Sequence, residues 1–238
     1  CTENLNSKFT TINLGTDTSA EGRMVTKNLL KCIKEGIGNN KNTMIPVTVF
    51  KVKKGVNYDR EDKNYDLLLE ACKLVEENKN IYFNFLDTTY NSQKYKEGDF
   101  NTEVAYLENG TRIIENVLDE EKEISPGRGV LSTTTINLPR IALKHKDNIE
   151  DFFYELDQKL DLIKDQLLER LDIQGNKKVF NFPFLMKQNV WMDSEKLREE
   201  DKVKKVLKNG IMKISFLGLF ETLIILKGKR HAESKTVQ

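Results

Sequence analysis

Short β-like runs alternate with segments of helical period along most of this 238-residue chain, and that alternation limits the fold more than any other feature. Residues 8–14 read as a strand and residues 15–19 as a loop. Ser19 then stands where an N-cap belongs for a helix over residues 20–35, with Gly36 and Gly38 at its end. A second strand over residues 44–52 carries Pro46 near its start, and a helix follows from Tyr65 to about Glu77. Residues 81–86 form a continuous apolar run, the pattern of a strand covered on both faces. Further strands are expected at 130–138 and 211–216, and helices at 149–171 and 219–226. In the longer of these helices Ile149, Phe152, Phe153, Leu156, Leu160, Ile163, Leu167 and Leu171 recur every three or four residues and line one face. Strand–helix–strand order requires crossovers, so the expected class is α/β with parallel pairing.

Five residues, Thr-Thr-Ile-Asn-Leu, occur at 10–14 and again at 134–138. Alternate side chains of a strand share a face, which pairs Thr11 with Asn13 and Thr135 with Asn137. Two strands that aim Thr and Asn at one face point to a polar site in an apolar sheet; a chance repeat of five residues is the alternative. Asn13 and Asn137 are either ligand contacts or hydrogen-bonded core amides. Thr16, Ser19 and Arg23 lie where a helix N-terminus attracts anions, although capping alone explains Ser19. Arg140, just past Pro139, suits either a phosphate or a structural ion pair. His231, near the end of the sequence, reads as solvated, and Trp191 as a packing residue. Residues 87–129 are the least regular stretch, and a long loop-rich segment in a compact domain is often functional.

Lys and Arg number 38 against 37 Asp and Glu, so the net charge of +1 offers no broad attraction to nucleic acid or anionic membrane. Charged residues make up 32% and hydrophobic ones 38%, the balance of a globular chain with a charged exterior. Cys1, Cys32 and Cys72 form no metal-binding spacing, so no metal site is expected, and a reducing, cytoplasmic setting fits them best. The most apolar run, 211–226, contains Lys213 and Glu221 and is too short for a membrane span. With no initiating Met, the sequence is expected to be a piece of a longer chain.

Several segments together resemble the anaerobic, class III ribonucleoside-triphosphate reductases. They are residues 13–23 (NLGTDTSAEGR), 50–58 (FKVKKGVNY), Asn64-Tyr65-Asp66-Leu67 and Ala71-Cys72, then Thr102-Glu103-Val104-Ala105-Tyr106 and Gly127-Arg128-Gly129. Residues 134–143 (TTINLPRIAL) are the most specific match. Residues 181–186 (NFPFLM), 193–197 (DSEKL), Gly228-Lys229, His231 and Glu233-Ser234 follow in the family's order. The resemblance implies part of a ten-stranded α/β barrel of the glycyl-radical type, with residues 1–238 forming a single partial barrel domain. It makes Thr11, Asn13, Thr16, Ser19, Arg23, Thr135 and Asn137 candidates for contact with a ribonucleoside triphosphate. The implied reaction is reduction to the deoxyribonucleotide. In that reaction a glycyl radical oxidises a cysteine to a thiyl radical that abstracts the ribose 3′-hydrogen, with formate or a thiol system as reductant. Family partners are a radical-SAM iron–sulfur activating protein and a second copy of the chain. The ATP cone with its ATP and dATP effectors, the structural zinc and the glycyl-radical loop are all expected to lie outside this segment.

The sequence departs from the family where the chemistry should be. The thiyl cysteine of a Met-Gly-Cys-Arg-Thr segment falls on Asn109, and an amide cannot form a thiyl radical. Glu108 and Gly110 replace its neighbours, and no other cysteine can substitute by position. Cys72 aligns with a family cysteine in a helix and is expected to pack in the core. Phe220 replaces a family alanine, at a cost of about 1–3 kcal/mol if the helix is packed there. Scaffold motifs persist while chemical ones are lost, as in a degenerate paralogue. The alternative is a non-catalytic nucleotide-binding or subunit-interaction protein on the same scaffold.

Overall fold

In the computed structural model, which describes residues 11–38, 41–42, 45–107 and 110–229, strand and helix alternate as the sequence pattern requires. The chain divides into two compact units, with the boundary between Pro126 and Gly127. The first unit runs β1 (Thr11–Leu14), α1 (Ala20–Glu35), β2 (Val47–Val52), α2 (Tyr65–Glu76) and β3 (Ile81–Phe85). Its three strands pair in parallel in the order β1-β2-β3. The register sets Asn13 beside Val49 beside Tyr82, and Lys51 beside Asn84. Neighbours in register share a face, so the sheet has two chemically different sides. Leu14, Phe50, Val52, Ile81 and Phe83 pack on Leu30, Leu67, Ala71 and Leu74 of the two helices. The opposite side, called the inner face below, carries Asn13, Val49, Lys51, Tyr82 and Asn84.

Beyond β3 come a helical turn α3 (Thr89–Ser92) and an antiparallel hairpin of β4 (Ala105–Tyr106) and β5 (Arg112–Ile113). The second unit pairs β6 (Val130–Asn137) in parallel with β7 (Ile211–Leu217). Between them lie α4 (Leu138–Lys144), α5 (Ile149–Gly175) and α6 (Lys204–Leu207), and α7 (Leu219–Lys227) follows. Asn148 caps α5 by accepting from the Glu150 and Asp151 amides. Phe152, Ile163 and Leu167 of α5 close on Ile136, Leu138, Ile141 and Ala142. A separate cluster gathers around Trp191, whose indole N–H donates to the Val206 carbonyl at 2.9 Å.

Several expectations change. Among the described residues the strands form three separate sheets of three, two and two strands; the α/β class holds. Residues 81–86 are not covered on both faces, because β3 is the outer strand and leaves Tyr82 58% and Phe85 53% exposed. Phe153 leaves the buried stripe of α5 and meets Phe152 edge-on from the solvent side. Cys72 is exposed on α2 rather than packed in the core. Phe220 is 43% exposed, so its added bulk is not forced into a packed helix face. The helix α4, which begins where the sequence pattern still reads as strand, was not expected.

Candidate functional site

Asn13 organises the inner face of the first unit. Its side-chain amide donates to the Tyr106 carbonyl at 2.8 Å, and its Oδ1 accepts from the Tyr106 amide at 2.9 Å. The carboxamide thus pairs with β4 as a neighbouring strand would, and it fastens the β4–β5 hairpin over the sheet. Tyr106 continues the network: its hydroxyl donates to Asn91 Oδ1 at 2.7 Å. Asn91 Nδ2 in turn donates to the Phe85 carbonyl at 2.9 Å and to Asn84 Oδ1 at 3.1 Å. Burial pushes the Tyr106 phenol above its ordinary value, so it remains a neutral donor.

Asn84 is 9% exposed, and its Nδ2 has no hydrogen-bond partner. A buried donor left unpaired costs about 1–3 kcal/mol, which makes the position notable. Asn84 lines a cavity of about 370 Å3 with Val49, Tyr82, Tyr106, Leu107 and Gly110. Apolar and aromatic walls with one convergent polar group are the usual make-up of a small-molecule pocket. Leu107 and Gly110 belong to the hairpin connection, where the Gly110 amide donates to the Leu107 carbonyl and Gly110 takes a φ of 72°. Asn109, expected at the position of the family's thiyl cysteine, lies outside the described residues, as do Glu108 and His231.

A buried ion cluster flanks this pocket. Glu103 Oε1 accepts from Lys51 Nζ at 2.8 Å and from the Thr16 hydroxyl at 2.9 Å, while Lys53 Nζ stands 3.6 Å from Oε2. Lys53 also lies 3.7 Å over the Tyr95 ring. Glu103 is 5% and Lys51 8% exposed. The cluster ties the loop after β1 to β2 and to the approach to the hairpin. Asn57 and Asn64, both fully buried, donate to the Gly15 carbonyl and hold the same loop.

The other sequence-selected residues are dispersed. Thr11 lies on the inner face opposite Val47. Ser19 caps α1 by accepting from the Gly22 amide at 3.0 Å. Asp17 accepts from the Ser19 amide at 2.8 Å, and Ser19's hydrogen bonds hold the Asp17 carboxyl below its ordinary value. With Glu21 in the first turn, the charge at this helix start is acidic. Arg23 turns toward α2, donating to Asp66 and Asn64 at 2.7 Å and to the Lys63 carbonyl. In the second unit, the hydroxyls of Thr135 and Ser215 meet at 2.7 Å, and Asn137 caps α4 by accepting from the Arg140 amide at 3.2 Å. Lys51 and Glu103 entered only as parts of family segments, and the sequence did not single out Asn84 or Asn91. An Asn inside the apolar run 81–86 was the one available signal.

A family model of anaerobic ribonucleoside-triphosphate reductases matches residues 5–238. The chain belongs to that family. Among curated relatives named anaerobic ribonucleoside-triphosphate reductase, the one from Haemophilus influenzae is 32% identical over 234 residues, which is 97% of this chain and 31% of the relative. The Escherichia coli relative is 30% identical over 235 residues, 97% of this chain and 32% of the relative. The chain therefore spans about a third of these anaerobic reductases. The fold is also similar to the crystal structure of the Thermotoga maritima anaerobic ribonucleotide reductase with citrate in the active site. That likeness has a TM-score of 0.50 at 14% identity and covers 92% of this chain and 38% of that one.

Proposed function

We propose that this chain is part of the ten-stranded catalytic barrel of an anaerobic ribonucleoside-triphosphate reductase, and that it does not reduce nucleotides by itself. In this reading the inner face and its hairpin belong to the barrel interior, and ribonucleoside triphosphates are the substrates. The intact enzyme supplies deoxyribonucleotides for DNA synthesis, with a radical-SAM activating protein and a second copy of the chain as partners.

One observation carries the reading: by sequence, the position of the family's thiyl cysteine is held by Asn109, an amide. The family's glycyl radical supplies an oxidising equivalent that needs a thiol acceptor. Cys32 and Cys72 are exposed on α1 and α2, which cover the other face of the sheet, so neither can stand in. Among the described residues no group of three or more His, Cys, Asp or Glu is placed to hold a metal ion. What these residues do is bind and orient. Asn13 positions the hairpin, Asn84 offers a donor to a ligand's oxygen, and Glu103 with Lys51 fixes the loop after β1. Incubating the chain with ribonucleoside triphosphates, a reductant and the activating protein is expected to yield no deoxyribonucleotide. Detectable product would refute the proposal.

A second reading, a non-catalytic nucleotide-binding protein on the same scaffold, is favoured by the cavity beneath Asn84. Saturable micromolar binding of a ribonucleoside triphosphate, weakened by Asn84→Ala, supports it; absence of binding rejects it.

A further inference from the structure

β3 is the outer strand of the first unit's sheet, so one of its edges pairs with no strand among the described residues. The Leu86 amide donates to the Val52 carbonyl at 2.9 Å, so Tyr82 and Asn84 also turn their backbone groups toward β2. Ile81, Phe83 and Phe85 turn theirs outward. Two of those outward groups are already used. The Ile81 amide donates to the Lys79 carbonyl at 3.1 Å, and the Phe85 carbonyl accepts from Asn91 Nδ2 at 2.9 Å. The Phe83 amide and carbonyl, the Phe85 amide and the Ile81 carbonyl have no hydrogen-bond partner among the described residues.

These free groups complement themselves. In an antiparallel pair centred on Phe83 and the Phe83 of a second copy, each Ile81 falls opposite a Phe85. The two Phe83 residues then exchange both of their hydrogen bonds, and each Phe85 amide donates to the other copy's Ile81 carbonyl. The groups left over in this register, the Ile81 amide and the Phe85 carbonyl, are the two that the chain already satisfies. Residues 80–86 carry no charge, Pro or Gly, the composition of a strand that pairs with its own kind. At both ends the register sets Lys79 toward Asp87 of the other copy. Asp87 is exposed, and Lys79, only 9% exposed, has no ion pair to any described residue. On the inner face Tyr82, 58% exposed, comes opposite Asn84 of the second copy. On the other face Asp66 and Glu77 of α2 meet Arg23 and Lys34 of α1. Leu68, Cys72 and Val75, at helical spacing, therefore lie on the flank of α2 toward the open edge, where Cys72 and Val75 are exposed. We propose that β3 pairs edge to edge with β3 of a second copy about a two-fold axis at Phe83, joining two three-stranded sheets into one. Such an isologous contact closes at two copies. It rests on the fold of the first unit and is independent of the reductase reading.

Sedimentation equilibrium of the whole chain, with hydrogen exchange at low and high protein concentration, tests the proposal. The chain should pass from monomer to dimer as its concentration rises. Over the same range the Phe83 and Phe85 amides should slow by about tenfold or more, and the Tyr82 and Asn84 amides, already bonded to β2, should change far less. Phe85→Lys and Val75→Glu alter exposed positions and place a charge at the contact. Each should raise the concentration needed for dimers by about tenfold or more, with an unchanged circular dichroism spectrum confirming the fold. The proposal is overturned if the chain stays monomeric up to millimolar concentration, or if both variants dimerise like the parent. A dimer whose Phe83 and Phe85 amides exchange as fast as in the monomer also overturns it, because that dimer uses another surface.

Discussion

Replacing Glu103 by alanine removes the one negative charge at the centre of the buried cluster. Lys51, 8% exposed, would lose a partner at 2.8 Å, and the Thr16 hydroxyl would lose its acceptor. Removing one member of a buried pair strands the other and costs about 3–5 kcal/mol. The added loss of the Thr16 hydrogen bond, about 1 kcal/mol, keeps the total near the top of that range. Domain stabilities of roughly 5–15 kcal/mol make this a large fraction. With a urea dependence of about 1–3 kcal/mol per molar, the unfolding midpoint should fall by roughly 2 M. Hydrogen exchange of the β2 amides during urea titration reads the first unit alone. The double variant K51M/E103M should recover most of the loss, because it removes the pair without stranding a charge. An E103A midpoint shift worth less than ~1 kcal/mol, or a double variant as damaged as the single one, would refute the reasoning.

Asn13→Ala should cost about 2 kcal/mol, from two half-buried hydrogen bonds worth about 1 kcal/mol each. It should also deprotect the Tyr106 amide by tenfold or more; unchanged exchange there would mean that the hairpin holds without Asn13. Lys144, then His145, holds the Glu155 carboxyl down to about 2 from an ordinary 4.5. A depressed carboxyl stabilises fully above its unfolded value, and that contribution is lost as the pH falls through the folded one. The second unit should therefore weaken between pH ~4.5 and ~2, and Glu155→Gln should flatten that part of its acid-unfolding curve. Superimposable curves would remove the ion pair from the account.

Local signals in the sequence located the elements that they control. Ser19 was read as an N-cap and caps α1, and the apolar spacing from Phe152 to Leu167 became the buried stripe of α5. Trp191 was read as packing and sits in a core cluster. What escaped depends on partners distant in sequence. Lys51 in a strand reads as solvent-facing until Glu103, 52 residues away, arrives beside it. Asn13 was a candidate for ligand contact, yet both polar atoms of its amide are taken by Tyr106, 93 residues on. Asn137 ends β6, as the strand reading expected, and it also caps α4, a second role that Asn-Leu-Pro, a capping residue followed by an early helical proline, could have signalled. Arg23 was expected near phosphate because it follows a helix start; Asp66 and Asn64 on the α2 side draw it away.

In the proposed reading, the frame of the radical site persists while its reacting group has been replaced. A hybrid tests it most directly, with this chain substituted for the matching third of the full-length Escherichia coli relative and deoxyribonucleotide formation measured after activation. The hybrid carrying Asn109 should form no product, and the same hybrid with Asn109→Cys should form some. Product from the Asn109 hybrid would contradict the account.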